Sequence, residues 1–233
     1  FVTKASLERL KADGVRSIRL PFGYWNVDAS LYPDAPGFYA GTPFKQMDAL
    51  VGWAEELEMT VLLDLHGAPG QQSGAQTAGR QSGVNGYEWS SALFDADATL
   101  RCLHLVCERY HSREFTDGSP VVAGVELLNE PELPMKVLQP LYKRAYAAVR
   151  AAGMTTARVA VVINPYTATD QAVTGCCLNA RMPWPLYRNV VIDWHNYYAF
   201  GPCGGDAGYR IQLISNLFVP LQTFSKWVLS CGN

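Results

Sequence analysis

Charge is scarce in this chain. Lys, Arg, Asp and Glu together make up 17% of its 233 residues, and the formal net charge is -2. Nucleic acid and anionic membrane surfaces are recognised through a strong basic excess, so neither is expected as a partner. No apolar run approaches the ~18 residues that a membrane-crossing helix requires. No GxGxxG follows a strand and no GxxxxGK[ST] occurs anywhere, which argues against the nucleotide-binding α/β plans. Repeats, low-complexity tracts and a clear linker are also lacking, so residues 1–233 read as one domain.

The six cysteines are Cys102, Cys107, Cys176, Cys177, Cys203 and Cys231. None forms a CxxC pair and none has a histidine at zinc-ligand spacing, so a metal site is not expected. Cys102 and Cys107 fall in a helical pattern and fit buried thiols. Cys176 and Cys177 are adjacent and poorly placed to pair with each other. One or two disulfides in a secreted protein is the expectation. The chain opens at Phe1 with neither Met nor a signal peptide, which is expected of a processed protein or a fragment.

What the chain does have is apolar and aromatic: 48% of its residues are hydrophobic, and Phe, Trp and Tyr make up 12% of the chain. A near-neutral, aromatic-rich protein suits a neutral ligand such as a sugar. Five short runs rich in Val, Ile and Leu stand out: 15–21 (VRSIRLP), 60–66 (TVLLDLH), 121–131 (VVAGVELLNEP), 158–165 (RVAVVINP) and 189–198 (NVVIDWHNYY). Runs without strict alternation are the signature of parallel strands covered on both faces. Helical periodicity precedes or separates them, over 6–13, 43–57, 98–110 and 138–151, so the chain reads as successive βα units.

Polar residues collect at the ends of these runs. Arg19 closes the first, His66 the second, Asn129 and Glu130 the third, His195 and Tyr197 the fifth. In a (β/α)8 barrel the active site is built at the C-terminal ends of the strands. Glu130 in ELLNEP is the candidate general acid, a carboxyl at the end of a buried strand being costly to ionise. Arg19 offers a rigid fork for a carboxylate. His66 lies in LDLHGAPG, whose glycines let the backbone turn sharply beside a ligand. His195 and Tyr197 are two apart and share a strand face. Tyr24, Trp25, Tyr198 and Phe200 are placed to stack on sugar rings. Asp64 and Asp193, each two residues before a histidine, could face the barrel interior.

IRLPFGYW, LLDLHGAPG, ELLNEP and DWHNYY occur in that order, and together they resemble family 5 glycoside hydrolases of the fungal exo-β-1,3-glucanase kind. The resemblance implies a (β/α)8 TIM barrel, incomplete here, with about five of eight βα units and without the first and the last two strands. It implies a retaining hydrolase of β-glucan, extracellular or at the cell wall, that needs no cofactor. Glu130 would be the acid/base and Asn129 would hold the sugar 2-hydroxyl. Arg19, His66, His195 and Tyr197 would shape the sugar site, and Trp25 and Phe200 would be further substrate contacts. After His66, Ala75, Gln76 and Thr77 stand where such relatives carry an aromatic, an Asp and an Asn. After Tyr197 the one acid is Asp206, so the 233 residues are expected to lack the nucleophile. Other family 5 specificities, β-1,4-endoglucanase or glycosylceramidase, and a non-catalytic β-glucan-binding protein are the alternatives.

Overall fold

A computed structural model describes residues 2–32, 42–165, 182–183, 185–193 and 195, and the backbone of 219–220. The five apolar runs form five parallel strands: β1 (Ser17–Gly23), β2 (Thr60–Gly67), β3 (Val122–Glu126), β4 (Ala160–Ile163) and β5 (Val190–Ile192). A two-residue β6 (Val219–Pro220) pairs antiparallel with β5. Each strand hydrogen-bonds to its sequence neighbours, in the order β1-β2-β3-β4-β5-β6. Doubly wound nucleotide-binding sheets reverse direction part-way. An unreversed parallel order is the wall of a (β/α)8 barrel, of which five parallel strands lie among the described residues.

The helices follow the expected periodicity; α1, α4 and α5 start two or three residues earlier than expected and α3 two residues later. α1 (Lys4–Ala12) begins at Thr3, whose hydroxyl accepts from the Ser6 amide in a capping box. A short α2 (Tyr24–Val27) leaves β1, and α3 (Lys45–Glu56) packs Met47, Val51 and Ala54 inward. α4 (Ala96–Tyr110) starts at Asp95, which accepts from the Ala98 amide. α5 (Met135–Ala151) buries Leu138, Leu141, Tyr142, Ala145, Tyr146 and Val149, a stripe at 3.6-residue spacing. These faces and the strands' Val, Leu and Ile residues form one continuous core.

Cys102 and Cys107 are free, buried thiols in α4. Burial pushes the Cys107 thiol up to about 12 and Cys102 further still, so both are inert packing residues. The other four cysteines lie outside the described residues. No helix among the described residues is long and apolar enough to cross a membrane.

Candidate active site

Each of β2, β3 and β5 carries one carboxylate at or just beyond its C-terminal half: Asp64, Glu126 and Asp193. All three are fully buried. Arg19 of β1 is their cation. Its Nε and Nη2 both donate to Glu126 Oε2 at 2.9 and 2.8 Å, and Nη2 lies 3.2 Å from Asp64 Oδ2. The same Nη2 donates to Asn129 Oδ1 at 2.8 Å. Arg19 keeps its charge despite burial, because Glu126 and Asp64 outweigh the loss of water. Glu126 is pushed up to about 8, first by burial and then by Asp64, against the pull of Arg19.

One guanidinium cannot neutralise three buried carboxylates, so the cluster holds a proton at neutral pH. Glu126, pushed up to about 8, is the acid that holds it, and Asp64 Oδ1, Glu126 Oε1 and Asp193 Oδ1 are buried without a hydrogen-bond partner among the described residues. Glu126, Asp193 and His195 each bring a possible metal ligand atom within 4.8 Å of the others. Glu126 is already held by Arg19, and Asp193 and His195 by each other.

Two D-x-H units repeat on β2 and β5. Residues two apart on a strand share a face, which lets each aspartate grip its own histidine. In the first, Asp64 Oδ2 lies 2.6 Å from His66 Nδ1. In the second, Asp193 Oδ2 lies 3.2 Å from His195 Nε2. The remaining ring nitrogens face the dipeptide after β3. His66 Nε2 is 3.4 Å from Asn129 Nδ2, and His195 Nδ1 is 2.7 Å from Glu130 Oε1. Burial works against charging His195, but its hydrogen bonds to Asp193 and Glu130, helped by the Asp193 and Glu126 charges, push the ring up to about 9.

Asn129 and Glu130 are not strand residues. β3 stops at Glu126, and the loop that follows carries them to the mouth of the sheet. Glu130 has φ +40°, a left-handed conformation rare for a non-glycine residue and rarer still before a proline. Strain of this kind costs about 1–3 kcal/mol and collects at functional sites. Gln72 offsets it by tying the loop down. Its Nε2 donates to the carbonyls of His66 and Asn129 at 2.8 and 3.0 Å, and the Glu132 amide donates to its own carbonyl at 2.9 Å.

Arg19, His66 and Asn129 thus belong to one hydrogen-bonded network, and Glu130 and His195, with Asp193, form a second one beside it. Arg19 sits in the middle of β1 rather than at its end, its length carrying the fork to the neighbouring strands. Tyr197 and Phe200 lie outside the described residues. Trp25 lies over the ends of β1 and β2, where a Cβ on Gly23 or Gly67 would come within 2.2 or 2.4 Å of its ring. Gly67 thus makes room for an indole, and the sharp turn falls three residues later at Gly70, with φ +71°. Trp25, Tyr24, Tyr32, Gln71, Arg80 and Tyr87 line a cavity of about 260 Å³ beside the site.

Glu126 and Gln72 are the residues that motif reading passed over. A lone acid inside the apolar run VVAGVELL was the available signal for Glu126, because such a group is tolerated in a core only when paired. Gln72 offered none, being one of several polar residues in a long loop.

Residues 2–207 match the family model described as cellulase (glycosyl hydrolase family 5). The chain is 30% identical over 205 residues to glucan 1,3-beta-glucosidase 2 of Wickerhamomyces anomalus, covering 87% of this chain and 44% of that protein. It is 30% identical over 239 residues to the glucan 1,3-beta-glucosidase of Blumeria graminis, covering 98% of this chain and 50% of that one. The chain thus spans about half or less of the length of these curated relatives. Among solved structures, the rutinosidase from Aspergillus niger superposes with a TM-score of 0.61 at 19% identity, over 86% of this chain and 55% of that one.

Proposed function

Because the chain belongs to the cellulase family, glycosyl hydrolase family 5, we propose that it carries the acid/base half of a retaining β-glucan hydrolase acting on β-1,3 linkages. The observation that carries this reading is Glu130. It stands on a strained loop at the C-terminal end of a parallel sheet, 2.7 Å from His195 and next to an Asn129 held by Arg19. In the proposed reaction Glu130 protonates the departing glycosidic oxygen and later takes a proton from the water that frees the sugar. Asn129 binds the 2-hydroxyl of the reacting sugar, whose contacts tighten as the ring flattens. Trp25 supplies an apolar face beside the site, and Tyr197 and Phe200 are proposed as further sugar contacts.

The retaining route also needs a carboxylate about 5–5.5 Å from Glu130 to attack the anomeric carbon. Asp64, Glu126 and Asp193 are not assigned that role. All three are buried, and Asp64 and Glu126 are engaged by Arg19 and Asp193 by His195. The β-1,3 preference is supported by the relatives named above, and an extracellular or cell-wall location follows from such a substrate. No cofactor enters this scheme.

The test is a linkage panel on the full-length protein. Release of glucose from β-1,3-glucan, with little from β-1,4-glucan, is the expected result. Preferred cleavage of β-1,4-glucan or of a glycosylceramide would move the specificity elsewhere in the family. Binding of glucan without hydrolysis would replace the enzyme by a binding protein.

A further inference from the structure

We infer that Asp193 is a positioning residue for Glu130, acting through His195, so that the His195–Glu130 pair shares a single proton. The inference rests on the reading of Glu130 as acid/base.

The two D-x-H units differ in one respect that matters chemically. Asp64 takes the Nδ1 side of His66, and the far nitrogen of that ring meets an amide, Asn129. Asp193 takes the Nε2 side of His195, and the far nitrogen meets a carboxyl, Glu130. A carboxylate can only accept, so Asp193 keeps a proton on Nε2. Nδ1 is then the one site on the ring whose proton is exchangeable with Glu130. With Glu130 protonated, neutral His195 accepts from it. With Glu130 ionised, the imidazolium donates to it, and the Asp193 charge stabilises that state.

The charged groups facing His195 are Glu126 and Glu130, from β3 and its loop, and Asp193 from the end of β5, with Arg19 of β1 on the far side of Glu126. Among these described groups the acids outnumber the cations, and that favours a proton retained on the pair. When the glycosidic oxygen takes this proton its bond to the anomeric carbon breaks, while the nucleophilic carboxylate that the retaining route requires bonds to that carbon, leaving neutral His195 and ionised Glu130. When Glu130 draws a proton from the attacking water, that water's oxygen bonds to the anomeric carbon, the nucleophilic carboxylate departs ionised, and the proton returns to the pair. Atoms and charge balance over the cycle, with water and that carboxylate as the other participants.

The test is nitrogen-15 NMR of the histidine rings in the full-length protein, with exposed His104 and half-buried His66 as internal references. At pH 7.5 the wild-type His195 ring, without substrate, should carry protons on both nitrogens and titrate well above the ordinary histidine value of about 6.5. In Asp193→Asn the amide keeps the shape but supplies no charge. The His195 titration should then fall by at least one unit, and the alkaline limb of the hydrolysis profile should fall with it, while Asp193→Glu should restore part of both. A purely structural Asp193 would lower activity or stability and leave both titrations in place, which overturns the inference. So would a wild-type His195 carrying one ring proton at pH 7.5, even if Asp193→Asn did not fold. The ring signals do not depend on turnover. Doubly protonated His195 in a protein that cleaves no glycoside would leave the shared proton standing and overturn the catalytic reading beneath it.

Discussion

Arg19 reaches across β2 to Glu126, its Nε and Nη2 both donating to Glu126 Oε2 at 2.9 and 2.8 Å. This contact joins the first strand to the third underneath the proposed sugar site. It also makes Arg19 the counter-ion of a buried acid cluster before any substrate arrives.

Arg19→Ala should therefore destabilise the fold heavily. Removing one partner of a buried pair leaves uncompensated charge, at a cost of about 3–5 kcal/mol. Glu126→Gln should be much milder, since the amide oxygen still accepts from Arg19 and Glu126, pushed up to about 8, is already largely protonated at neutral pH. Urea midpoints of the two variants decide it. Equal losses, or a larger loss in Glu126→Gln, would mean that Arg19 is not the cluster's counter-ion.

Stability should fall as pH rises through neutrality. Glu126 titrates at about 8 in the folded chain against an ordinary 4.5, and His195 at about 9 against 6.5. Both groups bind more protons folded than unfolded, so the slope of unfolding free energy with pH is negative for each. The Glu126 contribution is lost between about 4.5 and 8 and that of His195 between about 6.5 and 9, which makes the decline steepest from 6.5 to 8. Melting temperature at fixed ionic strength should drop across that window. A flat profile, or a rise, would contradict the proton-holding cluster.

Gly67→Ala should push Trp25 off the strand ends. The added Cβ would lie 2.4 Å from the indole and 3.3 Å from the Ala78 carbonyl oxygen, so the ring must move. Overpacking of this kind costs about 1–3 kcal/mol. Weaker glucan binding together with altered tryptophan fluorescence is the expected outcome. Unchanged fluorescence with unchanged affinity would remove Trp25 from the proposed site.

The barrel wall was legible because its signals are local. Each parallel strand is a continuous apolar run, and each strand-end polar residue interrupts a pattern visible within ten residues. The D-x-H spacing likewise follows from the two-residue period of a strand. What stayed hidden depends on distance. Nothing near Glu126 indicates that its partner is 107 residues away on β1, and nothing in LLNEP marks the end of β3 at Glu126 and a left-handed Glu130. Gly67 looked like a turn residue because the indole it accommodates arrives from α2, more than forty residues earlier in the chain. Tyr197 and Phe200 remain expectations, lying outside the described residues.

The most direct test of the central claim compares two substrates in the full-length Glu130→Gln variant. One is β-1,3-glucan, whose departing sugar needs a proton. The other is an aryl β-glucoside with a strongly acidic phenol, which leaves without one. Loss of general acid catalysis should cost about 10²–10⁴-fold on glucan. The first, phenol-releasing step on the aryl glucoside should be far less affected. Equal losses on both substrates, or glucan hydrolysis at the wild-type rate, would show that Glu130 does not supply the proton.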